Sequence, residues 1–327
     1  MTGGPEVSVI IPTRNRWPML SSHALPSALT QEDVEFEIVV VDDASDDDTA
    51  DRVEALGDPR VRLVRNGTQR RLPASRNVGA REARGAWLAF LDDDDLWSPR
   101  KLRAQLDTAQ ATGAAWVYAQ CIVVDADIRP LDVHPFPDPE SLPSLLLGGN
   151  HVPGGGSNVI VRADTFREVG PFDESLRFFE DWDLWLRLVD VTPPAACPGL
   201  LVARVEHGSN MLFRDRADVR ADFERLSAKH GEVTDEQRLA VAEWIAHEHM
   251  RAGLNLRASA LYARAAIAHR SPGNAFAAVG ALFGRRGLAL TSRVLRRVRG
   301  ATHLDEAAVP APPSAPAWLA AYSAPSR

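Results

Sequence analysis

The strongest constraint on the fold is the regular alternation of short apolar runs and helical stretches over the first 125 residues. The apolar runs predict buried strands at residues 7–12, 37–41, 61–64, 86–91 and 115–122. The stretches between them predict helices at residues 16–29, 48–56, 74–83 and 99–112, the first of them broken at Pro26. Such alternation predicts an α/β fold with a Rossmann-like, mainly parallel sheet flanked by helices.

Beyond residue 125 the pattern is less regular, and most of the expected elements are helices. Helices are expected at residues 142–147, 163–169, 180–188 and 216–229, with a strand at 159–161. Residues 235–269 predict two helices separated near Gly253, and a last helix is expected at 292–298. The chain therefore divides into two units at 1–125 and 126–230, a helical C-terminal appendage at 231–305 and a disordered Pro- and Ala-rich tail at 306–327.

Acidic residues follow two of the predicted strands at the point where each strand ends. Asp42 and Asp43 come after the second strand, and the run Asp92–Asp95 comes after the fourth. The carboxyl ends of parallel strands share one edge of a sheet, where ligands bind. Four consecutive carboxylates repel one another, so the run indicates a hard divalent cation held together with substrate phosphates. The alternative is a solvated turn in which Asp95 caps the next helix.

Several motifs occur in a characteristic order around these acidic residues, and together the chain resembles a family 2 glycosyltransferase with the glycosyltransferase A fold. The resemblance covers roughly residues 6–215. The motifs are Val9-Ile10-Ile11-Pro12-Thr13-Arg14-Asn15-Arg16, Val40-Val41-Asp42-Asp43-Ala44-Ser45, Ala74-Ser75-Arg76-Asn77-Val78-Gly79, Phe90-Leu91-Asp92-Asp93-Asp94-Asp95, Val169-Gly170-Pro171-Phe172-Asp173-Glu174 and Glu180-Asp181-Trp182-Asp183-Leu184-Trp185.

The resemblance implies that residues 1–125 form a half that binds a nucleotide-sugar and a metal. Residues around Pro12, Thr13 and Arg14 would wrap the base and ribose. Asp43, with Asp42 beside it, would hydrogen-bond the base, usually uracil in this family, although both aspartates could instead cap the following helix. Arg76 and Asn77 would lie near the ribose and diphosphate, or form a surface pair on a helix.

Asp92 and Asp94 match the family's metal-binding Asp-x-Asp motif, which implies a bound Mn²⁺ or Mg²⁺. Asp94 is expected to be the direct ligand, with Asp92 or Asp93 reaching the ribose or a metal-bound water. In the resembled family a histidine near His207 often completes the metal site or contacts the diphosphate. A lone histidine is as readily a structural residue, and both interpretations of His207 stay open.

The resemblance also implies that residues 126–230 bind the acceptor and supply the catalytic base. Asp181, beside Glu180, would act as the general base of an inverting transfer. Burial beside Trp182 and Trp185, and a nearby Glu180, would raise the pKa of Asp181. The two tryptophans are expected to pack in the core rather than stack on a sugar. The glycine run at residues 154–156 would form a loop on the acceptor side.

The resemblance implies a metal-dependent inverting glycosyltransferase that moves a sugar from a nucleoside-diphosphate sugar, typically UDP-linked, to a hydroxyl acceptor. Carbohydrate, lipid-linked and other hydroxyl acceptors are all compatible with a role in the synthesis of polysaccharide, glycolipid or glycoconjugate. The alternatives are a nucleotidyltransferase of similar α/β fold, a non-catalytic sugar-binding module, and a retaining transferase, which would not need a base at Asp181.

The charge of the chain is segregated along its length. Residues 251–300 contain ten Arg and no Asp or Glu, whereas the first 250 residues carry a net charge of −16. The basic segment indicates either a solvated helix face or peripheral contact with an anionic membrane, polyanion or acidic partner, and no nucleic-acid-binding module accompanies it. Two distant cysteines, no apolar run of about 20 residues and no secretion signal are typical of a cytoplasmic protein, peripheral at most to the inner face of the membrane.

Overall fold

The structure, a computed structural model, describes residues 4–207, 219–231, 234–251, 253–284, 287–288, 290–291 and 313–323. The strands are β1 (Val7–Thr13), β2 (Phe36–Asp42), β3 (Val61–Arg65), β4 (Trp87–Phe90), β5 (Leu96–Trp97), β6 (Trp116–Asp125), β7 (Pro130–Val133), β8 (Ile160–Arg162) and β9 (Ala195–Glu206). The helices are α1 (Trp17–Ser22), α2 (Ala24–Leu29), α3 (Thr49–Glu54), α4 (Leu72–Glu82), α5 (Lys101–Thr112), α6 (Leu142–Leu146), α7 (Ala163–Val169), α8 (Glu180–Val191), α9 (Val219–His230), α10 (Asp235–Arg251), α11 (Asn255–Ala268) and α12 (Pro272–Leu282).

All nine strands belong to one sheet, and its two halves differ in strand direction. The order is β3-β2-β1-β4-β8-β6-β9-β5, with β7 added beside β6. The first four strands run parallel, as the strand and helix alternation predicts. In the second half only β6 and β9 pair in parallel, and the remaining pairs are antiparallel. The α/β fold is confirmed, and the sheet is mixed beyond β4. A short turn at residues 126–129 returns the chain as β7 antiparallel to β6, and the longer segment 134–159, which contains α6, leads into β8 antiparallel to β4 and β6.

The parallel half brings the two acidic strand ends to the same edge. β1 lies between β2 and β4, pairing Thr13 with Asp42 and Ile10 with Phe90. Every residue of β1 and β2 is buried, since helices cover both faces of the sheet. Asp42–Asp43 and the run Asp92–Asp95 therefore lie on either side of the end of β1, as the sequence predicts.

The expected helix at residues 16–29 is two helices, and the break lies at His23 rather than at Pro26. Pro26 lies in the first turn of α2, where a backbone N–H has no partner within the helix and its loss costs little. The prediction of a break at Pro26 was therefore wrong in position. The two helices expected within residues 235–269 are confirmed as α10 and α11, with Gly253 between them at φ 73°.

The prediction of a disordered tail at 306–327 was wrong for residues 313–323. Residues Ala317–Ala321 form a short 3₁₀ helix. Leu319 is buried against β5, β6 and β9, and the Trp318 indole donates a hydrogen bond to the carbonyl oxygen of Leu200 at 2.8 Å. Two aromatic residues and one leucine supply enough apolar surface to hold a Pro-rich segment against the sheet edge.

The helix expected at 292–298 lies outside the described residues. In the part of the chain that is described, no helix has the length and apolarity to cross a bilayer.

Candidate active site

The acidic run after β4 is divided among several partners, which removes the repulsion that four adjacent carboxylates would otherwise suffer. Asp95 turns inward and accepts hydrogen bonds from Ser157 Oγ at 2.6 Å and from the Val205 N–H at 3.0 Å. Ser157 Oγ also receives the N–H of Asp92 at 3.1 Å. Asp95 therefore ties the acidic run to the glycine loop and to β9, which is a positioning role rather than a helix cap.

Asp94 and Asp93 share the guanidinium of Arg16. Arg16 Nη2 lies 2.7 Å from Asp94 Oδ2, and Nη1 lies 3.2 Å from Asp93 Oδ1. His207 Nε2 lies 2.9 Å from the same Asp94 oxygen and 3.2 Å from Arg16 Nη2. Thr13 Oγ1 donates to Asp93 Oδ2 at 2.7 Å. The structure thus brings together Thr13, Asp93, Asp94 and His207, four residues that the sequence singled out, around an arginine that it did not.

The two neighbouring carboxylates have opposite pKa shifts. Burial alone would raise the pKa of Asp94, but the hydrogen bond and charge of His207 and the charge of Arg16 lower it to about 2. Burial and the negative charge of Asp94 raise the pKa of Asp93 to about 7. Burial likewise raises the pKa of Asp95. Of these three residues, Asp94 is therefore the one held most firmly as a carboxylate, which is the form that binds a cation.

Asp94 and His207 have the spacing expected of two adjacent ligands of a divalent cation. Asp94 Oδ2 and His207 Nε2 are 2.9 Å apart, and two adjacent ligands of an octahedral ion lie about 3 Å from each other when each bond is about 2.1 Å. No group of three or more acidic, histidine or cysteine side chains within the described residues is arranged to hold a metal. The pair therefore fits an ion whose remaining ligands are phosphate oxygens and water.

Asp43 holds the loop that leads into α4. Its Oδ1 accepts hydrogen bonds from Asn66 Nδ2 and the Arg70 N–H, both at 2.8 Å, and its Oδ2 accepts one from the Arg71 N–H at 2.8 Å. Arg71 has φ 75°, so this backbone geometry is sustained by the aspartate. Asp43 is 5% exposed. A cavity of about 660 Å³ opens beside this loop, lined by Val64, Arg65, Asn66, Gly67, Thr68, Arg70, Val78, Arg81 and Glu82.

The other residues predicted to surround the base lie along the same edge. Pro12 and Thr13 end β1, and Arg14 follows with its Nε 3.4 Å from a carbonyl oxygen of the loop after β2. Asp42 is fully buried, paired with Arg65 Nε at 3.1 Å. The sequence interpretation of Asp42 and Asp43 as caps of α3 does not hold, since α3 begins after Asp48 and has no side-chain cap.

Arg76 joins the two halves of the molecule. Its Nη2 lies 2.6 Å from Asp92 Oδ1 and its Nη1 lies 2.8 Å from Glu180 Oε1, a residue 104 positions later in the chain. The Arg76 side chain is 2% exposed and lies over the ring of Phe172, with 5.3 Å from Cζ to the ring centroid. The surface-pair interpretation of Arg76 is wrong. Arg76 instead connects the acidic run to the start of α8.

Asp181 lies at the start of α8, facing the glycine loop. Its Oδ1 accepts the N–H of Trp182 at 2.7 Å, and its Oδ2 accepts a hydrogen bond from Asn150 Nδ2 at 3.1 Å. A Cβ placed on Gly155 would lie 2.9 Å from Asp181 Oδ2, and Gly155 has φ 59°. Glycine is thus required at residue 155 both by the backbone and by the close approach of the carboxylate.

Both acidic residues at the start of α8 are shifted toward the protonated form. Burial raises the pKa of Glu180 to about 8 against the opposing charge of Arg76. Burial also raises the pKa of Asp181, again opposed by Arg76. A carboxylate with a raised pKa is a stronger base, so these shifts suit proton abstraction near neutral pH.

Asn77, on α4, and Trp182 and Trp185, on α8, are buried and have structural contacts. The Asn77 amide donates to the Phe172 carbonyl and accepts from the Phe172 N–H, both at 2.9 Å, so Asn77 anchors the loop that carries Phe172. Trp185 stacks on Trp116 at 5.8 Å with an interplanar angle of 3°. The Trp182 indole donates to the carbonyl oxygen of residue 146 at 2.7 Å. Both tryptophans are buried, which confirms the expectation that they pack in the core.

Helix α9 fixes the segment that precedes α8. Asp222 Oδ2 accepts the N–H groups of Arg177 and Phe178 at 2.5 and 3.0 Å. Asp183, on the far side of α8 from the site, binds Lys229 Nζ at 2.8 Å and His230 Nε2 at 2.7 Å. Burial would raise the pKa of Asp183, but these hydrogen bonds, together with the Arg187 guanidinium, lower it to about 2.

Three residues of the site were not assigned a role from the sequence. Arg16 lies at the end of a quoted motif, Ser157 follows the glycine run and Asn150 lies in an irregular segment. The roles of Arg16 and Ser157 depend on contacts with Asp94 and Asp95, which lie 78 and 62 residues away in the sequence. The surplus of carboxylates at the strand end was the available signal, because a buried acidic cluster requires nearby cations and hydrogen-bond donors.

Comparison with known proteins gives a consistent family assignment. The sequence profile of Glycosyl transferase family 2 matches residues 8–170. The succinoglycan biosynthesis protein ExoO of Rhizobium meliloti strain 1021 is 36% identical over 194 residues, 55% of this chain and 54% of that protein. The putative colanic acid biosynthesis glycosyl transferase WcaA of Escherichia coli K12 is 30% identical over 194 residues, 58% of this chain and 68% of that protein.

Two further similarities concern a named reaction and the fold. The UDP-Glc:alpha-D-GlcNAc-diphosphoundecaprenol beta-1,3-glucosyltransferase WfgD of Escherichia coli is 28% identical over 183 residues, 56% of this chain and 69% of that protein. The crystal structure of S. aureus TarS 1-349 superposes with a TM-score of 0.51 at 16% identity, covering 92% of this chain and 93% of that one. The latter similarity supports the fold alone. The matched region spans about half to two thirds of these three curated relatives, from 54% to 69% of their length.

Proposed function

The chain belongs to glycosyl transferase family 2, and from this membership and the site geometry we propose that it transfers a sugar from a nucleoside-diphosphate sugar to a hydroxyl acceptor with inversion at the anomeric carbon. The observation that carries the proposal is the position of Asp181. It is a part-buried carboxylate with a raised pKa that faces the glycine loop, and Arg76 links the start of its helix to the acidic run.

Asp181 is assigned the role of general base. The acceptor oxygen attacks the anomeric carbon, the bond from that carbon to the diphosphate oxygen breaks, and Asp181 takes the acceptor proton. Asn150 and the Trp182 N–H hold the carboxylate at 3.1 and 2.7 Å, which fixes the direction of its free lone pairs. Glu180 contributes by holding Arg76 rather than by contacting the substrate.

Asp94 and His207 are assigned to a Mn²⁺ or Mg²⁺ ion. When bound, the cation would act as a Lewis acid that stabilises the charge developing on the leaving diphosphate. Asp94 supplies a carboxylate whose pKa is lowered to about 2, and His207 lies beside it at 2.9 Å. Asp92, predicted as a second ligand, is held by Arg76 and serves better to orient the ribose side of the donor.

The donor is assigned as a UDP-sugar. Thr13, Arg14 and Asp43 lie at the end of β1 and β2, where the family resemblance puts the base and ribose. Asp43 already accepts three hydrogen bonds from the loop before α4. The base must therefore either hydrogen-bond to that loop itself or replace one of the three hydrogen bonds that Asp43 accepts from the loop. The relative WfgD, whose name includes UDP-Glc, supports the choice of uracil.

The acceptor is assigned to a growing polysaccharide or a lipid-linked sugar. ExoO and WcaA bear names from succinoglycan and colanic acid biosynthesis, and the name of WfgD specifies a sugar on diphosphoundecaprenol. In this chain the acceptor side of Asp181 is formed by Asn150 and the glycine loop. A nucleotidyltransferase or a sugar-binding module has no use for a base at Asp181, and a retaining transferase would need none there.

A donor screen tests this proposal directly. The full chain is incubated with UDP-, GDP- and dTDP-sugars, with and without Mn²⁺, and binding is followed by thermal shift and calorimetry. UDP-sugars are expected to stabilise the protein only when Mn²⁺ is present, and Asp94→Ala is expected to abolish this effect. Undiminished UDP binding by Asp94→Ala in the presence of a chelator would overturn the metal assignment.

A further inference from the structure

The exposed large apolar side chains are concentrated in one short part of the chain. Seven of the eleven in the described residues lie between residues 256 and 290. Where exposed apolar side chains form a contiguous patch, the patch often marks a binding surface. The seven residues are Leu256, Ile267, Phe276, Val279, Leu282, Phe283 and Leu290.

Helix α12 has the reverse of the usual arrangement of side chains. Its buried residues are Asn274 near the start of the helix and three small residues, Ala278, Gly280 and Ala281. A Cβ on Gly280 would come within 2.8 Å of a backbone oxygen, so the close packing requires glycine. Phe276 and Val279 are 36% and 56% exposed, and Phe283 just beyond the helix is 74% exposed. The spacing of three and four residues puts all three on one outward face.

The charge of the sequence segment that contains this face indicates the kind of partner. Residues 251–300 contain ten Arg and no Asp or Glu, while the first 250 residues carry −16. In a two-fold dimer this surface would meet itself, which would bring together two copies of a segment that carries only positive charge. A negatively charged bilayer has no such conflict, because it offers both an apolar interior and an anionic surface.

We propose that the outward face of α12, defined by Phe276, Val279 and Phe283, binds in the headgroup region of an anionic lipid bilayer. Arg264 and Arg270, both exposed on α11 and the turn after it, contact lipid phosphates. The helix has 11 residues, so it lies along the surface and does not cross it. The strongly acidic body of the protein is repelled by the same membrane, which orients the chain with its C-terminal helices toward the lipid.

Vesicle flotation with the full chain tests this proposal, using vesicles of neutral phosphatidylcholine and of phosphatidylcholine mixed with phosphatidylglycerol. We expect salt-sensitive binding to the anionic vesicles alone. Phe276→Ser and Phe283→Ser should each weaken it about tenfold, because each removes one buried aromatic side chain. Leu56→Ser, which alters an exposed leucine of the acidic body, is the matched control and should bind as the wild type does.

Three outcomes would overturn the proposal. Equal binding to neutral and anionic vesicles would show that the arginines do not contribute to binding. Unchanged binding by both serine variants would show that α12 does not contact the bilayer. Self-association in the absence of lipid, if lost in the serine variants, assigns the face to a second copy of the chain. Unaltered thermal unfolding of both variants establishes that the effects arise at the surface, since neither phenylalanine is in the core.

A second, independent inference concerns Arg16, and it rests on the proposed metal. Arg16 Nη2 contacts Asp94 Oδ2 at 2.7 Å and His207 Nε2 at 3.2 Å, so its guanidinium lies against both atoms that are assigned to the cation. Its Nη1 contacts Asp93 at 3.2 Å. The Arg16 side chain is 26% exposed, which leaves it room to move.

We infer that Arg16 is the counter-ion of the metal-free site and competes with the divalent cation for Asp94. Binding of the cation then requires Arg16 to release Asp94 and His207 while it keeps its contact with Asp93. This arrangement keeps the acidic run neutralised before the donor arrives. It predicts weak binding of metal alone, because part of the binding free energy is used to displace the guanidinium.

The test is Mn²⁺ binding without nucleotide, measured from the electron paramagnetic resonance signal of free Mn²⁺. Arg16→Gln should bind Mn²⁺ about tenfold more tightly than the wild type, because one charge-assisted contact is no longer displaced. Arg52→Gln, which removes an exposed ion pair with Asp48, is the matched control and should be unchanged. Equal or weaker binding by Arg16→Gln overturns the inference about Arg16. Absence of Mn²⁺ binding in every variant, even with UDP, would instead refute the proposed metal dependence.

Discussion

Replacing Arg76 with methionine should destabilise the protein more than any exposed arginine change, because Arg76 is the buried cation between the two halves. Its side chain is 2% exposed, and that of its partner Glu180 is 5% exposed. Removing one member of a buried ion pair leaves the other charge uncompensated, at a cost of about 3–5 kcal/mol. Glu180 Oε2 already has no hydrogen-bond partner among the described residues, so the carboxylate has few ways to compensate.

The assay is urea unfolding followed by tryptophan fluorescence, comparing Arg76→Met with Arg76→Met/Glu180→Gln and with Arg162→Met. Glutamine removes the uncompensated charge, so the double variant should recover about 2 kcal/mol of the loss. Arg162 forms an ion pair with Asp164 in which both side chains are more than half exposed, at 52% and 56%, and its loss should cost less than about 1 kcal/mol.

The cost of Arg76→Met should also rise with pH. The pKa of Glu180 is raised from 4.5 to about 8 in the folded protein, and loss of Arg76 raises it further. A group with a raised folded pKa contributes stability that is present below its unfolded pKa and lost as pH rises through its folded pKa. Below about pH 8 Glu180 is largely protonated in both proteins, so the pH-dependent part of the cost is small there, and what is lost is the contact of Arg76 with Asp92 and with the ring of Phe172. Above about pH 8 the wild-type Glu180 ionises beside Arg76 while the variant resists ionisation, so the cost grows. A cost that stays constant from about pH 6 to about pH 10, or no recovery by Glu180→Gln at about pH 10, would refute the reasoning.

Three other changes should have distinct effects. Asp181→Asn should retain UDP-sugar binding and lose transfer, and wild-type turnover by this variant would remove Asp181 from the mechanism. Asp183→Asn should lose about 2 kcal/mol at pH 7, because the pKa of Asp183 is lowered to about 2 in the folded state from 3.8. That loss should shrink as pH falls from about 4 through about 2, and a pH-independent difference in unfolding free energy would contradict it. Trp318→Ala should lower stability by about 3 kcal/mol by freeing residues 313–323 from the sheet edge, and an unchanged denaturation midpoint would contradict that packing.

The parts of the fold that depend on local pattern could be predicted from the sequence. β1 and β2 are continuous apolar runs because both of their faces are covered, and that signal requires no knowledge of distant residues. The shared edge for Asp42 and Asp92 follows from parallel strand direction alone. β9 was missed because Pro198 and Gly199 interrupt it, and its pairing with β6 shifts register near these residues.

The parts of the site that depend on tertiary contacts could not be predicted without the family resemblance, and some not even with it. Arg76 and Asn77 are neighbours on α4, yet one ends in a buried ion pair and the other fixes a backbone loop. Their residue types allow a role in a binding site or at the surface equally well. The role of each residue is determined by contacts with α8 and with the loop that carries Phe172, both about 100 residues away in the sequence.

The cations around the acidic run indicate which carboxylate can exchange its partner. Asp92 is held by Arg76, whose side chain is 2% exposed and fixed on its other side by Glu180. Asp94 is held by Arg16, whose side chain is 26% exposed and has solvent into which it can move. A cation that displaced Arg76 from Asp92 would break the link between α8 and the edge of the sheet that carries the acidic run. A cation that displaced Arg16 from Asp94 would disturb only the contacts of this partly exposed arginine. The proposed divalent cation would therefore bind at Asp94 with the least structural cost, and Asp92 would keep its contact with Arg76, which joins the two halves.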